Sequence, residues 1–317
     1  MFQNLDPKYK PKGLLDLLKW KFTTKDPIWP KEIPLINNDI PPVKVVDQNK
    51  IRVSFVGHAT FLIQTNNINI LTDPIWSKRA SPFTLIGHKR IIAPGIKLED
   101  LPKIDIIVIS HNHYDHMDLN TIKKLWNRDK PRIITPLLND IVIKNNIQGI
   151  EITTLNWGEN TAITNNITVY LEPSQHWSSR RLFDRNKTLW GNFIIKTPAG
   201  NLCFIGDSGY NEELYKTIGA KYDLFLSLIP IGSFEPRWFM KDIHMNPEEA
   251  VLVHKNLKSI YSIASHFQTF QLASDGYLQA VQELDLALKK YQISKEQFIT
   301  PNFGKAYWFN YSSYPIY

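Results

Sequence analysis

Cysteine is almost missing from this 317-residue chain: Cys203 stands alone, so no internal disulfide can form and the fold must hold by packing. A reducing compartment suits that, and the cytoplasm is the expected location, with a peripheral position on a membrane surface as the alternative. Cys203 lies in the apolar run Leu202-Cys203-Phe204-Ile205 and reads as a small buried side chain. Long hydrophobic runs are also missing. No stretch approaches the roughly 18 to 20 apolar residues that span a bilayer, and Met1-Phe2-Gln3-Asn4-Leu5-Asp6 lacks the charged start and apolar core of a secretory signal. There is no basic run interleaved with aromatics, no helix-turn-helix and no zinc-finger spacing, so nucleic acid is not an expected partner. The net charge of +7 then suits other anions, such as phosphate substrates or lipid headgroups.

What is present, at 43% hydrophobic content, is enough to bury a sizeable core. Residues 1–50 differ from the rest in carrying Pro7, Pro11, Pro27, Pro30, Pro34, Pro41 and Pro42 among many lysines. Prolines at that density prevent a continuous helix or central strand, so an extended arm wrapping residues 51–317 is expected. Within the arm, Gly13 to Phe22 places Leu14, Leu18 and Phe22, with Leu15 and Leu17 alongside, on one face of a short amphipathic helix that also holds Trp20. Such a helix either docks on the protein's own core, which is the expectation, or touches a membrane surface.

From Ile51 onward the pattern turns strand-like. Ile51 to Val56, Ala59 to Gln64 and Ile68 to Leu71 are short, apolar and separated by turn signals, which predicts an antiparallel meander. Strands follow at Ile104 to Ile109, Arg132 to Thr135, Ile150 to Thr154, Ile167 to Leu171, Leu189 to Lys196, Leu202 to Ile205, Leu224 to Leu228 and Ser259 to Ala264. Helices are expected at Leu119 to Trp126, Leu137 to Asn145, Glu212 to Ile218, Pro247 to Lys255 and Ser274 to Tyr291. Asn246 before Pro247-Glu248-Glu249 supplies an N-cap, a first-turn proline and early acids. The mixture implies a layered α/β protein.

The segment His111-Asn112-His113-Tyr114-Asp115-His116 gathers three imidazoles and a carboxylate directly after a strand. Neutral imidazole and carboxylate are ligands for zinc and related divalent ions. His176, Asp207 and His266 each follow another expected strand by a few residues, so one sheet edge could collect all of them. Seven ligands are too many for one tetrahedral ion and suit two ions sharing a carboxylate and a water. His111, His113 and His176 would hold one ion, Asp115, His116 and His266 the other, and Asp207 would bridge. Two zinc ions are expected, although the donors suit iron or manganese as well.

The unbroken His-x-His-x-Asp-His pattern resembles the signature of the metallo-β-lactamase superfamily. Val56 to Thr60, Leu71 to Trp76, Gln175-His176-Trp177, Gly206 to Tyr210 and Glu235 to Met240 further resemble the N-acylphosphatidylethanolamine-hydrolysing phospholipase D family, over about Val53 to Ser274. The resemblance implies a four-layer αβ/βα sandwich with a dinuclear site at the sheet edges, a homodimer, and a role for His244 within Asp242 to Ala250. His244 would donate to a phosphate oxygen or assist the leaving group. His58 and Asp73 resemble residues that orient ligands or loops. Arg180 and Arg181 are candidates to meet an anionic headgroup, while His88 and His254 read as structural.

The implied activity is a metal-dependent phosphodiesterase of the phospholipase D type, with Asp115, Asp207 and His244 as its catalytic side chains. It would release N-acylethanolamine and phosphatidic acid. The alternative within the same chemistry is a lactonase or ester hydrolase acting on a soluble metabolite. A non-catalytic metal-binding or lipid-binding protein fits less well, because every expected ligand is present.

Overall fold

In the computed structural model, residues 1–35, 39–83, 85–181 and 183–311 are described. The first half of the chain supplies β1 (Lys50–Gly57), β2 (Thr60–Thr65), β3 (Ile68–Thr72), a small ribbon of β4 (Arg79–Ala80) and β5 (His88–Lys89), β6 (Ile106–Val108), β7 (Arg132–Pro136) and β8 (Ile152–Leu155). The second half supplies β9 (Asn160–Thr164), β10 (Ile167–Glu172), β11 (Asn192–Lys196), β12 (Asn201–Phe204), β13 (Leu224–Pro230), β14 (Tyr261–Ser265), β15 (Phe298–Ile299) and β16 (Ala306–Asn310). Helices are α1 (Leu14–Thr23), α2 (Leu119–Asp129), α3 (Asn139–Lys144), α4 (Glu212–Lys221), α5 (Arg237–Met240), α6 (Pro247–Asn256) and α7 (Gln279–Tyr291).

Two seven-stranded sheets result, in the orders β16-β1-β2-β3-β6-β7-β8 and β15-β14-β13-β12-β11-β10-β9. Strand alternation sorts the core into layers. Ile51, Val53 and Phe55 on β1, Phe61 and Ile63 on β2, and Ile106 and Val108 on β6 face the second sheet. Their neighbours Val56, Leu62, Leu71, Ile107 and Ile133 face outward onto Ile122, Leu125 and Trp126 of α2. The second sheet is covered on its outer face by Tyr215 and Ile218 of α4, Val251 of α6 and Leu284 and Leu288 of α7. The architecture is therefore the four-layer αβ/βα sandwich that the resemblance implied.

Local chemistry explains most element ends. The Asp118 side chain caps α2 by accepting from the Asn120 N–H, and Asn246 caps α6 by accepting from Glu249, whose carboxylate accepts the Asn246 N–H in return. The helix expected from Ser274 begins only at Gln279. The five residues before it are held otherwise: Trp20 donates to Ser274 Oγ, Trp29 donates to Asp275 O, and Gly276 N–H bonds the Gln279 side chain.

The amphipathic α1 forms, but its leucine face is not what docks. Trp20 is the buried residue of this helix, packed with Met240, Ile243 and Ala273, while Leu14, Leu15 and Phe22 are 71%, 81% and 86% exposed. The indole outcompetes the leucines because it carries more apolar surface and has a hydrogen-bond partner for its N–H in Ser274.

Phe55 joins the two sheets through rings at 5.1 Å (Phe61), 5.6 Å (Phe267) and 4.9 Å (Phe303). Phe55→Ala should cost about 3–5 kcal/mol in urea unfolding, whereas the exposed Trp308→Ala should stay within about 1 kcal/mol. Equal midpoints for the two variants would contradict this account of the core.

Candidate metal centre

The topology explains why distant residues meet. In the first sheet β1 and β3 both run antiparallel to β2, and β3 runs parallel to β6, so β1, β3 and β6 end at the same edge. The second sheet repeats this: β10 and β12 flank β11 antiparallel, and β12, β13 and β14 are parallel. His58, Asp73 and the His111–His116 turn follow β1, β3 and β6, while His176, Asp207 and His266 follow β10, β12 and β14. Of the nine histidines, only His88 and His254 lie elsewhere; His88 is exposed on β5 and His254 is buried against Ser262.

Two groups of four donors form at this edge, each with ligand atoms within 4.8 Å of one another: His111, His113, His176 and Asp207, and His58, Asp115, His116 and His266. Asp207 joins them. Its Oδ2 lies 3.2 Å from His116 Nε2 and 3.6 Å from His176 Nε2, and its Oδ1 lies 3.1 Å from His266 Nε2. His111 Nε2 lies 2.9 Å from His113 Nδ1. Asp115 Oδ2 approaches His116 Nε2 at 3.2 Å, His266 Nε2 at 3.4 Å and His58 Nε2 at 2.9 Å.

The residues behind these donors fix which nitrogen points inward. Ser110 spends its single hydroxyl proton on Asp73 Oδ2, so it must accept from His111 Nδ1, which leaves the His111 Nε2 lone pair facing the cluster. His116 Nδ1 donates to Asp73 Oδ2 at 2.6 Å, and His176 Nδ1 donates to the Ile243 carbonyl at 2.9 Å, so Nε2 is the nitrogen that each turns toward the cluster. Asp73 is thus the shared anchor, also accepting from Ser110 N–H. His116 Nε2, His266 Nε2 and Asp207 Oδ1 are buried with no hydrogen-bond partner, as donors reserved for an ion would be. The donor set fits a divalent metal.

Backbone conformation serves the same end. His58, Asp73 and His266 all take left-handed φ values of 59°, 32° and 60°, which costs side-chain-bearing residues of order 1–3 kcal/mol each. The His266 N–H donates to His58 O, so one hydrogen bond ties the end of β1 to the end of β14 across the two sheets. Gly206 permits the close approach of β12 to β6, since a Cβ there would fall 2.4 Å from Ser110 Cβ.

Burial dominates the electrostatics. It drives His113 down to about 4, His176, His58 and His244 to about 3, and His111 well below its ordinary value, so all five are neutral near pH 7. Burial pulls the same way on His266 and His116, but the carboxylates of Asp207 and Asp115 overcome it, raising His266 to about 9 and His116 well above the usual range. Against burial, the charge of His116 holds Asp115 and Asp207 well below the carboxylate range. In the metal-free protein two protonated imidazoles therefore face two carboxylates, and an entering cation would displace those protons.

A cavity of about 460 Å³ opens above the cluster. His113, Asp115, Asp207 and His244 form its floor, with His244 Nε2 4.0 Å from Asp207 Oδ2. Leu14, Leu17 and Trp20 of α1, Phe239 and Met240 of α5, and Leu272 form an apolar wall, and Tyr9, Lys10, Lys12, Trp177, Arg185 and Asp242 also line the cavity. The arm is fixed there by Asn4, which exchanges two hydrogen bonds with the backbone of His176. Neither Arg180 nor Arg181 lines this cavity. Arg180 is turned onto the His111–His116 turn, and Arg181 is exposed. Arg185 lines it instead, a residue that sequence reasoning missed because nothing in Ser178 to Lys187 marks one arginine over another. Tyr9 was equally hidden in the proline-rich arm.

Residues 68–267 match the family model described as the beta-lactamase superfamily domain. The chain is 38% identical over 264 residues to N-acyl-phosphatidylethanolamine-hydrolyzing phospholipase D 1 of Caenorhabditis elegans, covering 80% of this chain and 74% of that protein. It is 33% identical over 260 residues to the mitochondrial N-acyl-phosphatidylethanolamine-hydrolyzing phospholipase D of Saccharomyces cerevisiae, covering 80% of this chain and 54% of that one. The isothiocyanate hydrolase from Delia radicum gut bacteria has the same fold, at 18% identity and a TM-score of 0.65, over 82% of this chain and 99% of that chain.

If Asp73 is the anchor described, Asp73→Ala should weaken metal binding by about 10- to 100-fold in a chelator competition assay. Gly206→Ala should act in the same direction by displacing Ser110. Undiminished affinity in Asp73→Ala would remove the anchor from the account.

Proposed function

Because this chain is a metal-dependent hydrolase of the metallo-β-lactamase superfamily, and belongs within it to the family of N-acyl-phosphatidylethanolamine-hydrolysing phospholipase D proteins, we propose that it cleaves an N-acylated phosphatidylethanolamine, releasing N-acylethanolamine and phosphatidic acid. The observation that carries this reading is the cavity: a polar floor of imidazoles and carboxylates meets an apolar wall built from α1 and α5. That division matches a substrate with a phosphodiester at one end and acyl chains at the other.

In this proposal His111, His113 and His176 would hold one zinc ion, Asp115, His116 and His266 would hold a second, and Asp207, which has donors of both groups within 4 Å, would serve both. Two such ions would acidify a water held between them and neutralise the phosphate oxygens. The chain's own groups do the rest. Asp115 is held in place by the His58 N–H, and Asp207 is fixed on the short Gly206 exit from β12. His244 is neutral, so it offers one N–H and acts as a hydrogen-bond donor to a phosphate oxygen or to the departing alkoxide. Leu14, Leu17, Trp20, Phe239 and Met240 exclude water along one side and receive acyl carbon.

No helix among the described residues is long and apolar enough to cross a membrane. Contact with a bilayer is instead assigned to α1, whose Leu14 and Leu17 line the cavity while Leu15 and Phe22 project outward beside Lys19 and Lys21. A lipid could then reach the site without crossing water.

Incubation with N-acylphosphatidylethanolamine vesicles should release N-acylethanolamine. His111→Ala and Asp207→Ala should abolish that release while leaving far-UV circular dichroism unchanged; retained turnover in either would sink the site assignment. The double variant Leu15→Glu/Phe22→Glu should lose vesicle co-sedimentation and turnover on vesicles by on the order of 10-fold, yet hydrolyse soluble bis(p-nitrophenyl) phosphate at the original rate. If the unaltered protein ignores both vesicles and phosphodiesters but opens soluble esters or lactones, the phospholipid reading fails.

A further inference from the structure

The turn that carries His113, Asp115 and His116 has no regular secondary structure of its own; α2 begins only at Leu119. Inside the turn the His113 carbonyl accepts the His116 and Met117 N–H groups, which leaves the Asn112 and Met117 carbonyls at its two ends to be held from outside, and the structure contains such a hold. Arg180 Nη1 donates to two carbonyls, Asn112 O at 2.9 Å and Met117 O at 2.8 Å. Those carbonyls stand on either side of the three ligands, so one nitrogen closes the turn like a clasp. The guanidinium carbon also lies 4.0 Å from the centroid of the Tyr114 ring, in the middle of the same turn. Tyr114 returns the contact by donating its hydroxyl to Arg180 O at 2.8 Å.

Arg180 is itself held firmly. Its backbone N–H bonds Asp184 at 3.0 Å, and Ser179 Oγ and the Arg181 N–H bond the same carboxylate. The loop closes again where the Asn186 N–H donates to Ser178 O and Ser178 Oγ donates to Thr188 O. This is the loop that starts at His176. Arg180 therefore links the ligand-bearing loop of the second sheet to the ligand-bearing turn of the first.

We propose that Arg180, with Tyr114, is a positioning residue of the metal centre: it sets the shape of the Asn112–Met117 turn and thereby the mutual geometry of His113, Asp115 and His116. The proposal rests on the metal-binding reading above but concerns a residue that touches neither ion nor substrate. A planar guanidinium suits the task because it can satisfy two carbonyls and stack on a ring at once, which an ammonium cannot. Removing it leaves two carbonyls beside the ligands without their donor.

The test compares Arg180→Gln, Arg180→Lys, Tyr114→Phe and Arg181→Gln with the unaltered protein. Metal affinity is read by chelator competition, the visible spectrum after cobalt substitution reports ligand geometry, and kcat and KM are taken on bis(p-nitrophenyl) phosphate. Arg180→Gln should bind metal about 10- to 100-fold more weakly, show an altered cobalt band and lose kcat, while far-UV circular dichroism is retained. Arg180→Lys should recover part of this, and Tyr114→Phe should show a smaller change of the same kind, which serves if Arg180→Gln does not fold. Arg181→Gln should match the unaltered protein. Unchanged affinity, cobalt spectrum and kcat in Arg180→Gln would overturn the proposal while leaving the metal reading intact, as would a rise in KM alone, which would make Arg180 a substrate contact. If the unaltered protein binds no metal, the metal reading itself falls and takes the proposal with it.

Discussion

The structure depends on one unfavourable arrangement: two ionised carboxylates, Asp115 and Asp207, buried side by side. Among the described residues no lysine or arginine forms an ion pair with either, and the partners they do have are imidazoles. Charges in such a place demand compensation of several kcal/mol per ion. The chain supplies it by surrounding them with nitrogens and by keeping two of those, on His116 and His266, protonated until a cation arrives. The rigid anchors behind the imidazoles follow from this need. A loosely held imidazole would swing to water and leave a carboxylate uncompensated, whereas Asp73, Ser110 and the Ile243 carbonyl prevent the swing.

Much of this was legible in the sequence because it depends on local pattern. Short apolar runs between turn signals gave β1 to β3, the Asn246-Pro247 signal gave the start of α6, and the rule that ligands follow strands brought His111, His176, Asp207 and His266 to one edge. What could not be read depends on competition between distant groups. The docking face of α1 went to Trp20 because Ser274, more than 200 residues away, offers its indole a partner. The first turn expected for α7 was lost for the same reason. Arg180 and Arg185 look alike in sequence, yet one grips the ligand turn and the other lines the cavity. The two-residue edge strand β15 carries too few residues for periodicity to register.

The two sheets meet at a seam where backbone comfort is given up. His58, Asp73 and His266 take left-handed conformations around the same donor cluster, and Gly206 removes the side chain that would keep β12 from β6. Strain gathered at one place is stable only when the surroundings over-determine it. Here Phe55, three residues before His58, stacks on Phe267, the residue after His266, and also meets Phe303, while the His266 N–H bonds the His58 carbonyl. Packing and polarity thus reinforce each other at the junction of the halves.

The pairing of β16 with β1 has a further meaning for how the molecule comes into being. β1 lies between β2 and β16, so a chain still being synthesised holds one side of β1 open until residues 306–310 have emerged. An apolar strand with a bare edge is a template for any other extended chain nearby. The first sheet therefore spends its youth exposed to mispairing, and contacts spanning some 250 residues must close before the nascent protein is safe from aggregation.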